Sequence, residues 1–137
     1  MDERRLQVKA SLEALVQARH FVHQAALDAG LGEQAAHHCA LAVDEACTNI
    51  VEHGYRADET DQVIDISCCK DDDGFIVTLL DDSPAFDPLA VPDPNPGASM
   101  SEREPGGWGV FLIKKLMDDV IYDRQGSRNR LLMIKRL

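Results

Sequence analysis

Asp44-Glu45-Ala46-Cys47-Thr48-Asn49-Ile50-Val51-Glu52-His53-Gly54-Tyr55 is the stretch on which the fold turns. It reads as the second half of a helix from about Glu33 to His53, with Gly54 as its stop. Glu45 and Asn49 are four residues apart, so a helix puts them on one face, a turn apart. A carboxylate and an amide stacked this way can hold a hydrated divalent cation and orient a nucleophile beside it. Leu41 and Ala42 lie one turn earlier, so this face is not simply a solvated stripe. His53 reads as a packing or capping residue rather than a catalyst.

Toward the N-terminus, Leu6, Val8 and Ala10 alternate with polar residues and predict a short strand. Ser11 is placed to cap the next helix, where Leu12, Leu15, Val16, Phe21 and Val22 recur near helical spacing. Gly30 ends that helix. Toward the C-terminus, residues 56–61 are polar and predict a loop. Val63, Ile64, Ile66 and Cys68 predict a strand, Asp71-Asp72-Asp73-Gly74 a turn, and Phe75, Ile76, Val77, Leu79 and Leu80 the returning strand. Val110 to Met117 predicts a short amphipathic helix. Val120-Ile121-Tyr122 and Leu131-Leu132-Met133-Ile134 predict a last hairpin turning near Gly126-Ser127. The order is strand, two helices, hairpin, long loop, helix, hairpin. Helices on one face of a mixed, mostly antiparallel sheet make a two-layer α+β sandwich. The 137 residues fit one domain with one core.

The formal net charge of −10 argues against a nucleic-acid binder, which needs a basic patch to neutralise phosphates. An acidic surface suits a basic protein partner, and it also keeps a protein in solution. The apolar runs are far too short to cross a bilayer, and no charged-then-apolar leader opens the chain. Cys39, Cys47, Cys68 and Cys69 form no CxxC pair, and adjacent strand positions send Cys68 and Cys69 to opposite faces. Neither a disulfide framework nor a zinc site is expected. Reduced thiols in a cytosolic protein are the plain reading.

Two later stretches carry chemistry. Leu80-Asp81-Asp82-Ser83-Pro84-Ala85-Phe86-Asp87-Pro88 is an acidic turn after an apolar strand. Gly106-Gly107-Trp108-Gly109-Val110-Phe111-Leu112-Ile113 puts glycines before a helix, where backbone N–H groups and the helix dipole attract phosphate. With Glu45 and Asn49, they read as a nucleotide pocket. ATP is itself an anion, so backbone donors, a metal ion and a few basic side chains must offset the overall field. Residues 82–107 hold all six prolines, at 84, 88, 92, 94, 96 and 105. So long a structureless stretch in a compact domain reads as a lid, with the composition of a segment that orders on binding.

Together the three stretches resemble the GHKL superfamily of ATP-binding domains, and within it the bacterial anti-sigma-factor serine/threonine kinases. The resemblance covers nearly the whole chain and includes the order of its elements. It implies a Bergerat-type GHKL fold for residues 1–137, with an ATP lid at about 84–106. By resemblance, Asn49 ligates the Mg²⁺ that bridges the ATP phosphates, and Glu45 is the general base that activates the attacking hydroxyl. Asp81 then accepts a hydrogen bond from the adenine amino group, which can discriminate adenine strongly. The family pattern there is Asp-x-Gly-x-x-Phe. Phe86 completes it, and Ser83 departs from it. Glycine lets the backbone approach the base; serine adds a hydroxyl near the ring or narrows the pocket.

Gly106, Gly107, Trp108, Gly109 and Val110 complete the nucleotide-binding set, and the run Val110 to Val120 matches the kinase branch almost position for position. Trp108 has two readings, a cover over the nucleotide and a core packing residue. Arg103 also has two, a γ-phosphate ligand and a solvated lid charge. Lys114 and Lys115 read as helix-surface charges, with a phosphate role as the second reading.

The implied protein is a cytoplasmic, ATP- and Mg²⁺-dependent serine/threonine kinase and anti-sigma factor. It phosphorylates a STAS-type anti-anti-sigma partner in a partner-switching pathway. A sigma factor is its second partner, and it forms a homodimer without direct contact to nucleic acid or membrane. Neither the dimerisation helix nor the phospho-accepting histidine of a complete sensor kinase is read in the sequence, and the paired helices in front of the hairpin and the short length favour the stand-alone serine kinase branch. The alternative is a nucleotide-gated regulatory binding module without kinase activity. Ser83 favours that alternative, and retention of both Glu45 and Asn49 speaks against it.

Overall fold

The computed structural model describes residues 2–55, 62–85, 87–90 and 107–137, with positions 53, 90, 107 and 108 described by their backbone alone. β1 (Arg4–Lys9) leads through a 3₁₀ turn at Leu12–Ala14 into α1 (Leu15–Asp28) and α2 (Glu33–Asn49). β2 (Val63–Asp71) and β3 (Gly74–Asp81) follow, then α3 (Gly107–Leu116), β4 (Asp119–Gln125) and β5 (Arg128–Lys135). The strands form one sheet in the order β1-β2-β3-β5-β4. Every pairing among the described residues is antiparallel, so the α+β sandwich stands without the parallel component that a mixed sheet would carry.

Period-two alternation sets the two faces of the sheet. Ile64, Ile66 and Cys68 of β2, Phe75, Val77 and Leu79 of β3, and Leu131 and Met133 of β5 are all buried. They meet α1 and α2 through small side chains, Ala18, Ala25 and Ala26 on one helix and Ala36, Cys39, Ala42 and Ala46 on the other. Small residues let the two helices approach each other and the sheet closely, while the larger aliphatics fill the layer between. Each fully buried large side chain stabilises the fold by about 1.5–3 kcal/mol.

Local signals end the elements where the sequence puts them. Ser11 caps the 3₁₀ turn, accepting from Ala14 N at 3.4 Å. Gly30 (φ +101°) closes α1, with Leu31 N bonded to Ala26 O and Gly30 N to Leu27 O, the paired bonds of a Schellman ending. Asp72 and Asp73 make the two-residue turn between β2 and β3, supported by Asp73 N donating to Asp71 Oδ1 at 2.7 Å. Gly74 follows at φ +136°, where a Cβ would overlap the Lys135 carbonyl oxygen.

Two boundaries differ from the sequence reading. The α-helical part of α2 stops at Asn49, and a π-turn, Ile50–Gly54, replaces the last turn. Thr48 bonds back to Asp44 O at 2.7 Å just before it, a contact that bends helices. The third helix begins at Gly107 and ends at Leu116, so Gly107, Trp108 and Gly109 form its first turn instead of a loop before it. Of the stretch read from the sequence as a lid, residues 84, 85 and 87 and the 3₁₀ turn Pro88–Ala90 are described. Residues 91–106, with the expected weak order there, lie outside the described residues, as does the loop at 56–61.

Candidate functional site

α2 presents Glu45 and Asn49 toward the first turn of α3. A Cβ at Gly109 would stand 3.0 Å from Glu45 Oε2 and 3.4 Å from both Asn49 side-chain heteroatoms. The glycine is therefore needed for contact, and it joins the first and third motifs. Asn49 is buried and Glu45 half-buried. Burial pushes the Glu45 carboxyl above its ordinary range, and the charges of Asp44 and Glu52 push it further.

The second motif closes the other end of the cleft. Asp81 is the last inward residue of β3, and Asn129 on β5 is its cross-strand partner. Both are buried, at 4% and 6% exposure, so each needs polar partners. Asp81 Oδ1 accepts from Ser83 N at 2.9 Å, from Ser83 Oγ in a short bond, and from Asn129 Nδ2 at 3.1 Å. Among the described residues, every hydrogen bond to this carboxylate falls on Oδ1, and Oδ2 accepts from none of them. Asn129 Oδ1 accepts from Tyr122 OH at 2.6 Å and from Arg124 Nη1 at 2.9 Å. Those two donors fix the amide, so its N–H₂ must face Asp81 and Ser83.

The ends are joined at Gly54, where a Cβ would lie 2.8 Å from Ser83 Oγ. The π-turn thus brings the end of the asparagine helix against the acidic turn, a use of such turns that is common at functional sites. Asn49, Gly54, Asp81, Ser83, Tyr122 and Asn129 all line one cleft of about 40 Å³. That space suits a few waters, whereas ligand pockets run to about 300–1,000 Å³. The Ser83 side chain is one of its walls.

The donors suit a hard cation. Amide and carboxylate oxygens are Mg²⁺ ligands, and this ion is usually held by one or two protein groups plus phosphates and waters. Among the described residues no three His, Cys, Asp or Glu side chains are grouped to hold a metal by themselves. Thiol chemistry is not offered here, because burial pushes the Cys39, Cys47 and Cys68 thiols up to about 12.

Of the residues singled out from the sequence, Glu45, Asn49, Asp81, Ser83 and Gly109 come together in this way. Gly107 opens α3, and Val110 in its first turn is buried. Trp108 lies in the first turn of α3, and its side chain is outside what the structure describes, as are Phe86, Arg103 and Gly106. Lys115 sits on the helix surface with Nζ 5.3 Å from the centre of the Phe111 ring. Asn129, Tyr122, Arg124 and Tyr55 escaped sequence reasoning. Asn129 carried a signal, as the polar member of the inward series Asn129, Leu131, Met133.

Residues 8–135 match the histidine kinase-like ATPase domain. Serine-protein kinase RsbW of Listeria monocytogenes is 31% identical over 123 residues, 87% of this chain and 78% of that protein. Serine-protein kinase RsbW of Bacillus licheniformis is 32% identical over 84 residues, 58% of this chain and 52% of that protein. The matches thus span about half the length of several of these curated relatives. The crystal structure of the RsbU and RsbW domains of a Mycobacterium tuberculosis protein shares the fold, with a TM-score of 0.70 over 100% of this chain and 33% of that one, at 16% identity. No described helix is long and apolar enough to cross a membrane. Sequence match and fold agree, and the chain belongs to the histidine kinase-like ATPase domain family, together with the RsbW serine-protein kinases.

Proposed function

We propose that this protein binds Mg·ATP and transfers its γ-phosphoryl group to a serine or threonine hydroxyl of a STAS-type anti-anti-sigma protein. The observation that carries the reading is the close approach of Glu45 and Asn49 to Gly109, where a Cβ would stand 3.0 and 3.4 Å from their side chains, which puts a candidate base and a metal-type ligand at the N-terminal turn of a helix. Glu45 takes the proton of the attacking hydroxyl as the new O–P bond forms, the bond from Pγ to the bridging oxygen breaks, and ADP leaves. A raised carboxyl pKa suits a base working near neutral pH. Asp81 Oδ2 accepts from the adenine amino group, with Asn129 and Ser83 holding Oδ1. Backbone N–H groups of Gly107, Trp108, Gly109 and Val110 face the phosphates. Asn49 holds Mg²⁺, which neutralises phosphate charge when bound.

Residues 1–137 act as one domain in this reading, with residues 84–106 as its lid and Phe86, Arg103 and Gly106 joining the nucleotide site. The names of the RsbW relatives support the kinase activity. Partner switching in the cytoplasm with a sigma factor, and a homodimeric state, follow from the same resemblance. Phosphorylation of the STAS protein would add charge at the interface and weaken its hold. Titration calorimetry tests the nucleotide site: ATP should bind only with Mg²⁺ present and far more tightly than GTP. Mg²⁺-independent or base-indifferent binding would count against it. Ser83 keeps the second reading alive, a nucleotide-gated binding module that sequesters its partner without transfer.

Two substitutions probe the walls. Alanine is ordinarily better than glycine in a helix by about 0.5–1 kcal/mol. At Gly109 its methyl would displace Glu45 Oε2. Gly109→Ala is therefore expected to hold or raise the melting temperature while slowing transfer about tenfold or more, read from a thermal melt and a single-turnover assay. Ser83→Gly removes the hydroxyl that fills the cleft and occupies Asp81. ATP affinity is expected to rise about three- to tenfold by calorimetry. Unchanged affinity would mean that the serine does not restrict the pocket.

A further inference from the structure

β3 leaves the sheet directly after Asp81, and a side chain from elsewhere stands at the point of departure. The ladder between β2 and β3 ends with Ile64 opposite Asp81, so Val63 and Asp82 would form the next pair. Hydrogen-bonded pairs alternate along an antiparallel ladder. Counting from Asp71 and Gly74 at the two-residue turn, Val63 and Asp82 fall on a hydrogen-bonded position. The direct bond is replaced. Asp82 N donates to Tyr55 OH at 2.8 Å, and Tyr55 OH donates to Val63 O at 3.0 Å. The hydroxyl is wedged between two strands that would otherwise zip together.

Tyr55 is 7% exposed, so neither bond competes freely with water. Burial pushes its pKa above the ordinary phenol value, so it keeps the proton it donates. Its amide bonds Ile50 O at 3.1 Å, which ties it to the π-turn that follows Asn49. One residue therefore links the end of the asparagine helix to the turn that carries Asp81.

We propose that Tyr55 is a positioning residue for nucleotide recognition: its hydroxyl holds β3 off β2 just beyond Asp81 and so sets the direction in which Asp81 and Ser83 meet the base. The inference rests on the reading of the cleft as an ATP site. Without the hydroxyl, Asp82 N either closes onto Val63 O and rotates the turn, or is left without its partner. In both cases the acceptor geometry at Asp81 is lost, while Glu45 and Asn49 stay where they are.

The test is Tyr55→Phe, with Mg·ATP affinity by calorimetry and KM and kcat for transfer, beside a Val22→Ala control. Val22 is a buried α1 residue whose truncation lowers stability away from the cleft. Expected are an ATP Kd and KM raised about tenfold, a kcat within about twofold, and no change of Kd in the control. Equal Kd in Tyr55→Phe and wild type overturns the inference and leaves the ATP site standing. Failure of the wild type itself to bind Mg·ATP overturns the site reading and the inference with it. If Tyr55→Phe does not fold, amide exchange of Asp82 in the wild type decides. Strong protection supports the wedge, and exchange at the rate of an open loop overturns it.

Discussion

Replacing Glu45 with alanine is expected to lower the rate of phosphoryl transfer by about 10²–10⁴-fold, the usual contribution of a positioned general base, while ATP affinity stays within about twofold. The separation follows from geometry. Glu45 faces the N-terminal turn of α3, whereas the end of the cleft proposed to read the base is built on Asp81, Ser83 and Asn129. A binding module would lose little of either property, so this substitution divides the two functional readings. The wild-type rate should fall on acidification through a pKa above the ordinary glutamate range, because burial first, and Asp44 and Glu52 next, disfavour the carboxylate.

The stability sign is the opposite of that for a salt-bridged acid. A carboxyl with a raised folded-state pKa favours the folded state below its unfolded value and loses that contribution as pH rises through the folded value. The alanine variant should therefore gain on the wild type in melting temperature as pH rises through that range, and the gain should vanish in acid. Thermal melts across pH read this directly.

Asp81→Asn is expected to weaken ATP binding about 100-fold or more and to reverse the preference between ATP and GTP. Oδ1 of this side chain must remain an acceptor, because Ser83 N and Asn129 Nδ2 both donate to it. The new amide nitrogen then takes the Oδ2 position facing the base. Adenine offers an amino group there and would meet a donor. Guanine offers a carbonyl oxygen and would be accepted. A site built to bond one group rejects the analogue strongly, since a buried polar atom is left unpaired. Competitive titration with both nucleotides measures the change. A uniform loss for ATP and GTP alike would mean that Asp81 supports the pocket without reading the base.

The α+β order, both hairpins and the facing of Glu45 with Asn49 were legible because each rests on local periodicity or turn chemistry. Alternation in β2 and β3 names their buried sides, and Gly30 marks the end of α1. The start of α3 was not legible. Glycine is a poor helix former, so Gly107 and Gly109 read as a loop; at Gly109 the helix packs closely against Glu45 and Asn49 of α2, a tertiary effect. The π-turn after Asn49 was hidden for a related reason, since one added residue per turn barely alters a short apolar pattern. Arg124 and Tyr122 lie on an edge strand with weak alternation, and only the fold shows that they converge on Asn129. Tyr55 follows a helix stop, a position that says nothing of the strands it reaches.

Mass spectrometry of a STAS-domain protein after incubation with wild-type enzyme and Mg·ATP is the most direct test of phosphoryl transfer. The expected result is one phosphate on a single serine or threonine, dependent on Mg²⁺ and on this protein. A stable complex that binds ATP yet leaves the partner unmodified would contradict the kinase and establish the binding module in its place.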